Sequence, residues 1–412
     1  MPSHSLSLAT PGSDASSQRP RLAVVISHPI QHFAPLFREL STRGSLDLKV
    51  FYCCDWGVKE YRDADFGHSF QWNIPLLDGY DSEFLPIAVR PRDLSFFSID
   101  NPDVSTRLSE FDPDAVWVHG YGHRTSWRVF RWAKRNQRRI LYFGDSEQLA
   151  PRGWKSRLLK RLILPRFFAG CDRFLTIGDH NENYYRHYGV ADNRMIRGSF
   201  PVDVSRFQAA AADIDSQVRD RLRAEYGLRP DAVVALFVGK FIGIKRPLDL
   251  VHAVSLLRDR GVDLQAFMLG SGPLDQEARS LIAEKNLGEY VVLPGFVNQA
   301  ELPRLLALGD LLVMPSEKDP HPLVVTEAMS VGNAIVASDR VGCVGPTDAA
   351  RPEENTCVYQ CGNIEQLAKT LQMLAESPEK LQVFRQRSRE LVWTQDVGVM
   401  ADAVDKAVKG NL

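Results

Sequence analysis

Between Asp310 and Ser338 the chain reads DLLVMPSEKDPHPLVVTEAMSVGNAIVAS, and this stretch restricts the fold more than any other. Leu311 to Met314 form an apolar run too short to span a membrane and suited to a buried parallel strand. Pro315 and Ser316 close it. A charged loop follows, Glu317 to His321, and Pro322 is placed to open a helix, where its missing N–H costs nothing. Leu323 to Val331 carry the helix, Gly332 stops it, and Asn333 to Ser338 form a second apolar strand. Strand, helix, strand is the unit of a parallel α/β sheet, and ligands of such sheets gather beyond the strands' carboxyl ends. The N–H groups of Leu323 and Val324 would face an anion there. Asp319 and Glu327 lie eight positions apart, one in the loop and one a turn into the helix, so both carboxylates can face one pocket.

A second motif follows the apolar strand Ala232 to Val238, which runs into Gly239-Lys240-Phe241-Ile242-Gly243-Ile244-Lys245-Arg246-Pro247. Lys240 stands at the strand's end and Lys245 just before a helix opened by Pro247. Two ammonium groups therefore converge where a diphosphate would lie, and Gly239 and Gly243 allow close backbone approach. Upstream, strand and helix patterns alternate: Arg21 to Ser27, Leu46 to Cys53, Ala115 to His119, Arg124 to Asn136, Arg138 to Phe143, Trp154 to Ala169, Arg173 to Ile177 and Asp179 to Tyr188. Alternation of this kind means a parallel sheet wrapped by helices. Asp179 with Glu182 reads as a capping pair for the last helix. The first turn, His28-Pro29-Ile30-Gln31-His32, holds no glycine, which argues against a dinucleotide site. Asp55 to Leu85 is aromatic and irregular (Trp56, Tyr61, Phe66, Phe70, Trp72, Tyr80, Phe84), and most of these rings are expected to pack on the sheet.

Together these motifs resemble the family 4 retaining glycosyltransferases of the GT-B fold. The family's acidic motif is a Glu, seven residues and a second Glu, followed by an Ala-Met-Ala-x-Gly-like helix end; here it reads DPHPLVVTEAMSVG, with Asp319 in the first Glu's place and Pro320, His321 and Pro322 for its Gly-Phe-Gly. The resemblance implies that Glu327 holds a nucleotide ribose, that Asp319 reaches donor-sugar hydroxyls, and that Lys240 and Lys245 bind the diphosphate. Leu264 to Gly270 with Ser271-Gly272-Pro273, and Tyr290 to Pro294 with Gly295-Phe296-Val297, match elements that surround the base, so Gly239, Gly270, Ser271, Val297, Leu323 and Val324 join the donor set. Where many members place an active-site His, this chain has Gly144-Asp145. Asp145, His119 and His123 would then share that role, with His28 and His32 as further contacts in the first domain.

The fold implied is α/β: two doubly wound Rossmann-like domains facing a cleft, over residues 21–205 and 206–392. A disordered tail would precede them (1–20), and a final helix would cross back onto the first domain (393–412), with Trp393 as its anchor. Gly198 to Phe207 resembles the stretch that ends the family's first domain. The implied reaction moves a hexose-type sugar, with retention and without a metal or other cofactor, from a nucleotide-diphosphate sugar to a glycan or lipid-linked glycan. Two other classes stay open: a different GT-B enzyme, such as an epimerase or inverting transferase, and a noncatalytic sugar-nucleotide binder.

Residues 1–200 hold 27 Lys and Arg against 22 Asp and Glu, and the remainder 23 against 29. That mildly basic first half falls far short of a nucleic-acid binder. Trp154 to Arg173 sets Lys155, Arg157, Lys160, Arg161 and Arg166 among Leu, Ile and Phe. Such a segment is either a core helix with a solvated basic face or a peripheral contact with an anionic membrane. No apolar run approaches the ~20 residues of a membrane helix. Six cysteines without a zinc spacing are expected as reduced thiols in a cytoplasmic protein, at most at the inner face of the membrane.

Overall fold

Loops at the carboxyl ends of two parallel sheets meet in the computed structural model, which describes residues 19–62, 69–87, 91, 93–149 and 153–410. The first sheet holds β1 (Arg21–Ile26), β2 (Asp47–Tyr52), β5 (Asp81–Phe84), β6 (Ala115–His119), β7 (Arg139–Phe143), β8 (Arg173–Thr176) and β9 (Met195–Arg197), in the order β5-β2-β1-β6-β7-β8-β9. Two short strands, β3 (Tyr61–Arg62) and β4 (Ser69–Phe70), form a separate antiparallel hairpin. In the second sheet are β10 (Val233–Val238), β11 (Leu264–Leu269), β12 (Val291–Gly295), β13 (Leu311–Met314), β14 (Ala334–Ser338) and β15 (Thr356–Tyr359), ordered β12-β11-β10-β13-β14-β15. Both are doubly wound, so the inner strands are buried on both sides and read as continuous apolar runs, whereas the edge strand β5 (DSEF) is polar and partly exposed. The chain reverses direction across the first sheet between β1 and β6, and across the second between β10 and β13. These are the crevices in which such sheets bind ligands.

Crossed hydrogen bonds tie the two halves together. The Asp348 carboxylate accepts from Asp179 N at 2.8 Å, while the Asp179 carboxylate accepts from Thr347 N at 2.9 Å and from Arg197 at 2.7 Å. The helix Asp179–His187 is therefore not capped by Asp179, as its sequence suggests; its N-cap is Gly178, and the capping carboxylate comes from the other domain. A side chain on Gly178 would run into that carboxylate, with a Cβ 2.3 Å from Asp348 Oδ2. On the other flank Asn298 donates to Gln71 O at 2.9 Å and Ala300 N to Asn73 Oδ1 at 3.0 Å.

The final helix, Val397–Lys409, does cross back: Met400, Ala403, Val404 and Ala407 join the core formed by Leu36, Phe37, Leu40 and Trp117. Trp393 is not its anchor. That ring is 47% exposed, because the turn Val392–Gln395 points it outward and the apolar stripe of the next helix makes the contact. Three helices went unforeseen, Val104–Phe111, Val204–Ala210 and Leu302–Leu306, all short and held by packing more than by their own periodicity. Pro322 stands one position earlier than expected, as N-cap. Tyr80 packs on Phe37 as anticipated for the aromatic stretch, whereas Phe66 and the tail residues 1–18 lie outside the described residues. All six cysteines are free thiols.

Truncating Met400 to Ala empties a fully buried position of the crossing helix and should cost about 2–5 kcal/mol. In urea titrations, the transition reported by the first-domain tryptophans should move to lower denaturant.

Candidate active site

The donor half is assembled by three strand ends. Gly239 N donates to Leu269 O at 3.0 Å and Gly270 N to Gly295 O at 2.8 Å, which sets the loops after β10, β11 and β12 side by side. Gly270 (φ +150°) lies so close to Gly239 that an added Cβ would sit 1.9 Å from its carbonyl oxygen, so only glycine fits. Phe241 N donates to Ser271 O at 2.8 Å, and Val297 is half-buried against the same domain's core. Lys240, half-buried, leaves β10 at this edge.

The two sequence motifs meet directly. Lys245 Nζ lies 2.5 Å from Asp319 Oδ2, and Ser316 donates to the same oxygen at 3.3 Å. Asp319 is 5% exposed, so its charge is held by that ammonium group and by fixed donors. Its backbone is pinned as well: Gly342 N donates to Asp319 O at 2.9 Å, and a Cβ on Gly342 would strike Pro320 O. Leu323 and Val324 begin the helix Leu323–Ser330 with no side-chain cap from Pro322, which leaves their N–H groups turned to this edge.

Glu327 has different neighbours from Asp319. It is buried in the helix, close to Arg206 and hydrogen-bonded to Gln299. Burial raises its pKa to about 7, against the opposing pull of Arg206 and Gln299. Arg206 in turn donates to Gln299 O and Oε1 at 3.1 and 3.2 Å. Neither Arg206 nor Gln299 was legible as a site residue, since both reach Glu327 only through the tertiary fold.

Across the cleft, the first sheet's crevice collects histidines. His28 and His32 follow β1; His119 ends β6 and His123 lies just beyond it. His28 Nδ1 is 2.9 Å from Ser27 Oγ. Burial, and then the neighbouring imidazoles, lower the pKa of His28 to about 4 and of His32 and His119 to about 3, so all three are neutral at physiological pH. Asp145 opens on the cleft; its pKa is raised first by desolvation, with Asp319 and Glu147 adding and His321 opposing. It therefore faces the Asp319 loop from the opposite domain. Phe200 fills the gap, edge-on to His32 (centroids 4.8 Å apart) and to His321 (5.4 Å). Gly144 O accepts from Asn181 at 2.8 Å and Tyr185 at 2.7 Å, which fixes the turn carrying Asp145. Among the described residues no cluster of three or more His, Cys, Asp or Glu could hold a metal ion.

Two pH effects follow. A carboxyl with a raised folded pKa keeps its proton between about pH 4.5 and 7 while the unfolded chain loses it, so Glu327 removes stability as pH rises through that window. Glu327→Gln should therefore melt higher than wild type at pH 8, by on the order of 3 kcal/mol, with the gap closing towards pH 4.5. The histidines act oppositely: their folded pKa is lowered, so stability present above pH 6.5 is lost as pH falls towards 4. Thermal melts of wild type and His32→Asn from pH 7.5 to 4.5 should show a flatter profile in the variant.

Residues 218–391 match the family model described as glycosyl transferases group 1. Among curated relatives, the 2-deoxystreptamine glucosyltransferase of Streptomyces kanamyceticus is 29% identical over 202 residues, 47% of this chain and 48% of that protein. The D-inositol 3-phosphate glycosyltransferase of Pseudarthrobacter chlorophenolicus is 32% identical over 160 residues, 38% of this chain and 36% of the relative. The chain thus spans less than half the length of these curated relatives. Solved structures cover far more of it. Anabaena HepE, in complex with UDP and glucose, superposes with a TM-score of 0.70 at 14% identity, over 95% of this chain and 100% of that one. Sucrose-phosphate synthase from Thermosynechococcus elongatus gives 0.69 at 19% identity, over 94% and 97%. The second domain is thus similar to the glycosyl transferases group 1 family, and the chain as a whole has the two-domain GT-B fold.

Proposed function

We propose that this protein is a retaining, metal-independent glycosyltransferase that moves a hexose-type sugar from a nucleotide-diphosphate donor to a glycan or lipid-linked glycan acceptor. The observation that carries the reading is the Lys245–Asp319 pair, because it joins the cationic and acidic motifs at the second sheet's switch point. Without ligand, Asp319 holds the ammonium group in place. A diphosphate would draw Lys245 away, leaving the carboxylate to accept from a donor-sugar hydroxyl. As the anomeric C–O bond breaks, negative charge grows on the diphosphate, and Lys240, Lys245 and the N–H groups of Leu323 and Val324 stand ready to stabilise it. The leaving phosphate oxygen then takes the acceptor's proton. Glu327 would grip the ribose, and the relatives whose names and titles mention sugars or UDP support this class of donor.

Calorimetric titration with UDP, GDP, ADP and CMP should show selective binding of one nucleotide, lost in Lys240→Ala/Lys245→Ala. If none binds, the donor assignment falls. Asp319→Asn, which frees Lys245, should bind the same nucleotide at least as tightly yet transfer its sugar about 10²-fold more slowly. A product of inverted anomeric configuration would overturn the retaining mechanism.

The helix Trp154–Ala169 favours an anionic membrane as the setting of the reaction. Only Leu164, Phe167 and Phe168 are buried, while Trp154, Leu158, Leu159 and Leu162 are 65, 53, 58 and 53% exposed. These side chains share the outward half of the helix with Lys155 and Arg166, and the helix carries no acidic residue. Exposed apolar and basic side chains without an acid can meet an anionic surface, and among the described residues no helix is long and apolar enough to cross a membrane. The protein should cosediment with phosphatidylserine-containing vesicles and not with pure phosphatidylcholine ones, and Leu158→Ser/Leu162→Ser should abolish this without changing nucleotide affinity.

A further inference from the structure

Glu327 is oriented from outside its own helix. A glutamate carboxylate turns on a soft terminal torsion, and the hydrogen bond that fixes this one comes from Gln299, in the loop after β12. Gln299 is buried, so its amide is confined. An amide can present either its oxygen or its NH2 to a neighbour, and Arg206 decides which. A guanidinium only donates, and this one donates to Gln299 Oε1 at 3.2 Å and to the main-chain oxygen at 3.1 Å. The amide oxygen is thereby taken, and the NH2 is left for the Glu327 carboxylate. Arg206 stands on Val204–Ala210, near the point where the chain crosses into the second domain, with its guanidinium carbon 4.4 Å from the centroid of the Phe207 ring.

The loop on which Gln299 sits is gripped from the first domain. Asn73 N donates to Asn298 Oδ1 at 3.4 Å, Asn73 Oδ1 accepts from Ala300 N at 3.0 Å, and Asn73 Nδ2 donates to both Glu301 carboxylate oxygens at 3.3 Å. Asn298 in turn donates to Gln71 O at 2.9 Å, and its Oδ1 accepts from Gln299 N at 2.8 Å. The residues on either side of Gln299 are thus both bonded to Asn73. Within its own domain this segment is pressed onto the loop after β1, where a Cβ on Gly57 would sit 2.9 Å from Pro29 O and 3.2 Å from Trp72 Cδ1. We propose that Gln299 is the positioning residue of Glu327 and that Asn73 sets the place of Gln299, so that recognition of the nucleotide's ribose in the second domain depends on a residue of the first. The proposal rests on the transferase reading for the ribose, whereas the relay of side chains from Asn73 to Glu327 stands on its own geometry. A carboxylate held by one amide N–H keeps lone pairs for the two adjacent hydroxyls of a ribose, and its orientation decides whether both can reach it.

Full-length protein is titrated calorimetrically with UDP, GDP and ADP and with their 2′,3′-dideoxy counterparts. Wild type should bind one ribonucleotide at least tenfold more tightly than its dideoxy form. Gln299→Leu, close in volume and without a donor, should reduce that preference to threefold or less, and Asn73→Ala should reduce it at least threefold, with dideoxy affinity within twofold of wild type in both. A double-mutant cycle of Gln299→Leu with Glu327→Leu, read from urea unfolding without nucleotide, should depart from additivity by tenfold or more in the unfolding constant. Equal loss of ribo and dideoxy binding in Gln299→Leu overturns the proposal, since a merely structural role predicts it. An additive cycle overturns it too, as do a ribose preference unchanged by Asn73→Ala and a wild type that binds both forms of a diphosphate equally. Failure of every diphosphate to bind, with the cycle still coupled, would instead uphold the contact between Gln299 and Glu327 and count against the transferase reading alone.

Discussion

Two parallel sheets that present their carboxyl ends to one another define a cleft only if something fixes the angle between them, and here that is the exchange of caps between Asp179 and Asp348. Each carboxylate satisfies a backbone N–H of the opposite domain, Asp348 taking Asp179 N and Asp179 taking Thr347 N. Charge-assisted bonds to backbone N–H groups are strong and directional, so the pair sets orientation as well as contact. Asp348 also reaches the candidate site: its Oδ1 lies 3.4 Å from His321 Nε2, in the loop that carries Asp319. The element that holds the domains together is therefore in contact with the loop that would meet the donor sugar. Glycine at 178 and 345 is the steric condition for this, since a Cβ at either position would collide with one of the two carboxylates.

Much of the architecture was legible because a doubly wound sheet advertises itself. Its strands are buried on both faces, so β1, β6, β10, β11, β13 and β14 stand out as short apolar runs, and the glycines and prolines after them mark where the chain turns. Lys240, Lys245, Asp319 and Glu327 could be singled out for the same reason, as polar groups at the ends of such runs. What the sequence hid depends on distance along the chain. Arg206 and Gln299 lie 93 positions apart and meet only beside Glu327. Asp179 read as a helix cap because local spacing favoured it, yet its carboxylate is drawn off to Thr347 and Arg197. Trp393 read as an anchor because large aromatics usually bury, while the contact is made by the small and medium side chains of the following helix. The histidines were visible one by one, but nothing local says that loops some 90 residues apart bring four of them together.

Asp319 and Glu327 have different partners despite a shared helix and loop. Asp319 is buried and keeps a cation at 2.5 Å. Glu327 has a more distant Arg206 whose own charge is disfavoured by burial, so neither group fully offsets the other's desolvation. A ribose that supplies hydroxyl donors would favour the ionised carboxylate, so nucleotide binding at this position should be accompanied by proton release near neutral pH.

Charge is therefore distributed very unevenly across the cleft, and the proposed reaction gives that asymmetry a reason. All of the negative charge that develops in the transition state belongs to the departing diphosphate, so the cations and uncapped N–H groups belong on the second domain, where they are placed. The proton removed from the acceptor goes to the same phosphate. A strong base on the acceptor side would be redundant, and a cation there would compete with Lys240 and Lys245 for the leaving group. Neutral imidazoles can orient a hydroxyl without either effect, since burial holds their pKa values near 3 to 4 and keeps them uncharged throughout.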